Sequence, residues 1–177
     1  KPALKRLAQF RNALSRPKVG MLIGLSFLAV FVIASLESTF AMWSERTYGW
    51  GPQQNGYLFA SVGLLSAVVQ GGMMGPLARR FGERRLIVHG ALTLALGVGL
   101  IPFSDTLAVL IVAFTFVGFG FSIITPSLNS LISLQVGEEE QGGVMGVARS
   151  ATTLARVAGP VWAGFLFSVI GKDWPYY

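Results

Sequence analysis

Long uncharged runs, separated by short polar segments, organise the whole chain. The first extends from about Val19 to Trp43 and is interrupted by Glu37 alone. The second, about Tyr57 to Leu77, holds no charge. The third, about Leu86 to Phe103, carries His89 near its start, and the fourth, Leu107 to Leu134, is uncharged throughout. The fifth, about Gly143 to Ile170, contains Arg149 and Arg156. A helix needs about 20 mostly apolar residues to cross a bilayer core. The pattern therefore predicts an all-α polytopic membrane protein with five transmembrane helices (about 19–43, 57–77, 86–103, 107–134 and 143–170). The first run is too long for a signal peptide and lacks a small-residue cleavage site.

Composition agrees with a lipid environment. The 177 residues are 53% hydrophobic and 12% charged, against about 25% charged in a soluble domain. The net charge of +6 raises the question of nucleic acid. The bases, however, border apolar runs in two clusters, Lys1–Lys18 and Arg79–Arg85, which places them at membrane edges and leaves no nucleic-acid surface. No cysteine is present, so disulfide and thiolate chemistry are excluded. One histidine, and no clustered carboxylates or nucleophile–base pair, argue against a metal site, a cofactor or an enzyme.

Charge also orients the spans. Lys1, Lys5, Arg6, Arg11, Arg16 and Lys18 precede the first, and Arg79, Arg80, Arg84 and Arg85 follow the second. Only Arg46 and Lys172 fall on the opposite side. Lysine and arginine are retained inside, so the N-terminal segment is expected to be cytoplasmic. Within it, Leu4, Leu7, Ala8 and Leu14 share one face, as in a surface helix ended by Pro17 and lying on the anionic inner leaflet. Trp43, Tyr48, Trp50, Trp174, Tyr176 and Tyr177 are expected to form an outer aromatic belt. Span counting places a loop at Gly137–Gln141 inside.

The segment Gly75-Pro76-Leu77-Ala78-Arg79-Arg80-Phe81-Gly82-Glu83-Arg84-Arg85 must reverse the chain within a few residues, which Gly82 permits by reaching φ > 0. It resembles the cytoplasmic loop signature of the major facilitator superfamily, Gly-x-Leu-Ala-Asp-Arg-Phe-Gly-Arg-Arg. The match holds at Gly75, Leu77, Ala78, Arg80, Phe81, Gly82 and Arg84, and departs at Arg79 and Glu83. The fifth span keeps the spacing of the family's antiporter signature at Gly146, Ala155, Gly159, Pro160 and Gly164, with alanine for glycine at two of its positions, Ala155 and Ala163. The resemblance implies helices seven to eleven of a twelve-helix carrier. Residues 1–18 would be the linker between its halves and 19–177 the C-terminal bundle, with the first half and the last helix outside the chain. It further implies proton-coupled export of drugs or metabolites by alternating access, in a bacterial inner membrane. The implied partners are lipid, a small-molecule substrate and the missing segments, and a proton gradient takes the place of a bound cofactor. Alternatives are an uptake symporter of the same fold, and a sensor or assembly protein that moves nothing.

Polar groups inside the spans are the candidates for chemistry, because leaving them unpaired in lipid is costly. Glu37 lies in the outer third of its span, fit either to bind a proton or cationic substrate or to reach the interface or a neighbouring helix. Arg149 and Arg156, seven apart, share a helix face. Gln70 and Asn129 suit a substrate pathway or interhelical hydrogen bonds. Phe114, Phe116, Phe119 and Phe121 suit packing or lipid contact more readily than a binding wall, and His89 suits the interface.

Overall fold

A computed structural model describes residues 15–177. The surface helix expected over Leu4–Leu14 lies outside the described residues. Pro17 opens the first long helix, α1 (Pro17–Tyr48), at the position where a missing N–H costs nothing. Gly49, at φ 67°, closes α1 in the left-handed conformation. Next come α2 (Pro52–Val68), a π turn (Val69–Met73) and α3 (Met74–Phe81), one behind the other. Gly71 and Gly72 fall in the wide turn, and Pro76 cannot donate to the Gly72 carbonyl, so the α pattern is weakest there.

Gly82 separates α3 from α4 (Glu83–Leu100), which runs into a 3₁₀ turn at Ile101–Phe103. Then follow α5 (Leu107–Leu134) and α6 (Glu138–Val169). Among the described residues, four stretches are long and apolar enough to cross a membrane: Pro17–Tyr48, Pro52–Phe81, Glu83–Phe103 and Leu107–Leu134. The fifth expected span is α6, at 32 residues long enough to cross, but polar through Arg149, Arg156 and their neighbours. Glu138, Glu139 and Glu140 are not loop residues. They form the first turn of α6, where carboxylates complement the helix dipole.

Two seams hold the helices together. Along α4–α5, glycines bring backbone against backbone. A Cβ on Gly97 would stand 2.6 Å from the Val117 nitrogen, and one on Gly120 would stand 2.6 Å from the Gly90 carbonyl oxygen. Along α1–α6 the buried strip is Ala155, Gly159 and Ala163, four residues apart. There a Cβ on Gly159 would meet the Phe31 carbonyl oxygen at 2.8 Å, and the Ser35 hydroxyl donates to the Gly159 carbonyl at 3.1 Å. By contrast α2 buries only Asn55 and Leu58.

At the end of the bundle away from Gly82, two members of the expected aromatic belt are interior residues. Trp43 and Tyr176 are buried and pack edge to face at 6.0 Å. The Trp43 indole donates to Asp173 at 2.7 Å, and the hydroxyls of Tyr176 and Thr39 share a hydrogen bond. Residues Trp174–Tyr176 form a 3₁₀ turn folded back onto this cluster.

Candidate functional site

Of the cavities that open on the faces of α1 and α5, two adjoin and share Phe121 in their lining. The first, about 420 Å³, lies between α1, α2 and α5. Its walls are mostly apolar, with Phe59, Val62, Phe114 and Phe121 among them, and its single ionisable group is Glu37. Glu37 makes no hydrogen bond or ion pair among the described residues, so the helix-bonding role open to it in the sequence is not realised there.

The second cavity, about 380 Å³, lies between α1, α5 and α6 and is polar. Asn129 and Thr125, one turn apart on α5, face Arg149, Thr152, Thr153 and Arg156 of α6, with Ser26 from α1. The seven-residue spacing of the arginines does bring both to one cavity. Pro160 removes the helical hydrogen bond to the Arg156 carbonyl, loosening α6 beside the site. Gln70 lines neither cavity. It is exposed within the π turn. Of the four phenylalanines, Phe114 and Phe121 line the first cavity, Phe119 packs on the Val69–Leu86–Ile123 cluster, and Phe116 is exposed. Thr125, Thr152 and Thr153 escaped the sequence reading, although each lies four residues from a residue it did select, Asn129, Arg156 and Arg149.

The basic turn is built as its glycine requires. Gly82 sits at φ 75°, ψ 151°, donates to the Ala78 carbonyl at 2.9 Å and accepts from the Leu86 N–H at 3.2 Å. Leu77 and Ala78 pack on the Val69–Leu86–Ile123 cluster, while the Arg80 guanidinium lies 5.5 Å from the Phe81 ring centroid. Arg84 is exposed and Gly75 has open space around it. Glu83, one of the departures from the signature, accepts a hydrogen bond from Ser130 of α5 at 3.1 Å. At the same end Arg16 clamps Glu140 through two hydrogen bonds of 2.8 and 2.9 Å. These bonds, and next the guanidinium charge, hold the Glu140 carboxyl below the usual carboxylate range. The signature on α6 divides in two: Ala155 and Gly159 belong to the buried seam, whereas Gly146 and Gly164 have no close neighbour.

The profile of the Major Facilitator Superfamily matches residues 6–177, nearly the whole chain. The chain belongs to the major facilitator superfamily. Among curated relatives of this superfamily chain, the class C tetracycline resistance protein of Escherichia coli is 28% identical over 160 residues, covering 88% of this chain and 40% of that protein. Multidrug resistance protein 2 of Bacillus subtilis is 28% identical, covering 82% and 37%. The crystal structure of the human organic anion transporter MFSD10 (TETRAN) superposes with a TM-score of 0.82 at 28% identity, over 97% of this chain and 42% of that one. The chain thus spans about 40% of the length of the curated relatives it matches. These relatives are transporters, and family and apolar helices together make this an integral membrane protein.

Proposed function

We propose that this chain supplies the C-terminal bundle of a carrier that exports drugs or metabolites in exchange for protons. The observation that supports it best is the pair of adjoining cavities, whose ionisable groups, Glu37, Arg149 and Arg156, have no partners among the described residues. A structural ion network would pair such groups, whereas a transport pathway leaves them for the cargo and its coupling ion. The names of the tetracycline and multidrug resistance relatives favour export over uptake. In this reading residues 1–18 link two halves and 19–177 form the second. That half rocks against the first around the cavities, opening them to each side in turn. The basic end faces the cytoplasm of a bacterial cell.

Glu37 is the proton-binding candidate, since it lines a cavity and its side chain has no ion-pair partner among the described residues. The test uses the complete carrier in proteoliposomes with an imposed pH gradient. Drug efflux driven by inward proton flow is the expected result, and Glu37→Gln should flatten its pH dependence while folded yield is kept. Accumulation along with protons would replace export with uptake symport. No flux under any gradient would favour a sensor or assembly role. The 177-residue chain alone should insert but move nothing, having no second bundle to rock against.

A further inference from the structure

We propose that Arg149 and Arg156 form an anion subsite that holds a carboxylate or phosphate-type group of the transported molecule. This rests on reading the chain as part of a carrier, and it names the class of cargo that the reading leaves open.

Three observations point to an anion. First, both guanidinium groups line one cavity of about 380 Å³, to which no aspartate or glutamate contributes. Second, neither arginine has a counter-charge among the described residues. The ion pairs among the described residues are Arg16–Glu140, in the first turn of α6, and Lys172–Asp173, in the segment after it, and neither includes Arg149 or Arg156. Third, the surrounding hydroxyls have already committed their protons. Thr152 and Thr153 donate to the Arg149 carbonyl at 3.0 and 2.9 Å. Thr125 donates to the Phe121 carbonyl at 3.2 Å, and Ser26 to the Leu22 carbonyl at 2.9 Å. The donors still free to meet a ligand are therefore the two guanidinium groups and the Asn129 amide. A planar guanidinium binds a carboxylate or phosphate through two parallel hydrogen bonds. At membrane depth an uncompensated positive charge is unfavourable, so an entering anion restores a balance that the protein does not provide. Phe121 would offer its ring to the apolar body of the same molecule, at the boundary with the second cavity.

The test compares two dyes sharing a xanthene ring, anionic 5-carboxyfluorescein and cationic rhodamine 6G. Binding to the complete carrier is read by fluorescence anisotropy in nanodiscs of phosphatidylcholine, with no gradient. Carboxyfluorescein should bind saturably, and Arg149→Gln and Arg156→Gln should each weaken it about tenfold, the scale of a lost charged hydrogen bond. Arg156→Lys should retain more affinity than Arg156→Gln, and rhodamine 6G should bind no more weakly to the variants. Melting temperatures establish that each variant is folded, and if one glutamine variant fails to fold, the other single variants carry the comparison. Carboxyfluorescein that fails to saturate the wild type, or binds the glutamine variants equally well, overturns the proposal. So does a wild type that rejects the anionic dye while the glutamine variants melt lower, because the arginines would then pair with carboxylates of the first half. Displacement of the dye by phosphatidylglycerol but not by soluble benzoate would assign the arginines to a lipid headgroup, and also overturn it. Anion binding without gradient-driven flux would leave the subsite standing and sink the export reading. Export of rhodamine 6G with no anion binding would do the reverse.

Discussion

Glycine lies on both sides of the α4–α5 seam, whereas among the described contacts of the α1–α6 seam it lies on α6 alone. In the first, Gly90, Gly97 and Gly120 remove side chains from both helices, so each backbone touches the other. The ionisable group described on that contact is Glu83, at the far end of α4, which accepts from Ser130. In the second, α6 contributes Ala155, Gly159 and Ala163 while α1 answers with Phe31, Ala34 and Ser35. The narrow strip leaves the next face of α6 free for Arg149, Thr152, Thr153 and Arg156 at the polar cavity. A seam in which the backbones of both helices touch fixes the two as a unit, whereas a one-sided seam anchors a helix and keeps most of its circumference for chemistry.

The sharpest way to break this contrast is within one helix. Gly97→Ala would place a Cβ 2.6 Å from the Val117 nitrogen and 2.7 Å from the Ala113 carbonyl, whereas Gly99→Ala meets nothing within 4 Å. Backbone cannot rotate away, so Gly97→Ala should cost about 3 kcal/mol, seen as a large fall in melting temperature in nanodiscs. Gly99→Ala should be neutral or slightly stabilising. Equal melting of the two would mean that the α4–α5 seam is looser than its geometry.

Next in size is the turn that delivers α4 to that seam. Gly82 occupies φ 75°, ψ 151°, a region open to glycine and strained for a β-branched residue by about 2 kcal/mol. Gly82→Val should therefore lower transport and folded yield of the complete carrier far more than Arg85→Ala. Equal transport at matched expression would remove the glycine requirement.

On the one-sided seam Gly159→Ala should cost less, about 1 kcal/mol. Only one of its three nearest contacts is backbone, at 2.8 Å. The others are the Ser35 hydroxyl and the Ala34 methyl, at 3.1 and 3.2 Å. A loss as great as that of Gly97→Ala would erase the distinction between the seams.

The smallest effect belongs to the Arg16–Glu140 clamp, which is exposed and readily screened. The Glu140 carboxyl is lowered from an ordinary value of 4.5. Its contribution is therefore fully present above pH 4.5 and fades as pH falls through the lowered value. Melting of Glu140→Gln should differ slightly from wild type at pH 7 and not at all once pH drops well below 4.5, or in high salt. A difference that grows on acidification would contradict the pairing.

Much of this architecture was legible in the residues. Leu107–Leu134 bounds both the uncharged run and α5, since lipid enforces a plain length and polarity rule. Gly82 showed itself because a basic turn so short demands positive φ. The glycines of the α4–α5 seam did not show themselves, because Gly97 and Gly99 are identical in sequence and only the partner helix separates them. Trp43 was misplaced for a related reason. An aromatic near a span end suits the interface equally well, and the deciding group, Asp173, lies 130 residues away. The cavity arginines stood out as charges inside an expected span, but the threonines beside them look like ordinary helix surface until α5 and α6 are brought together.

The π turn between α2 and α3 acts as a phase corrector. Leu65 and Val69 are four residues apart, yet the stripe resumes at Met74, five residues on, and continues at Leu77 and Ala78, all against one cluster. The wide turn absorbs the surplus residue. Wound as a regular α-helix, the same sequence would rotate everything beyond it by about 100°, turning Leu77 away from Leu86 and the arginines of the basic turn away from their present bearing.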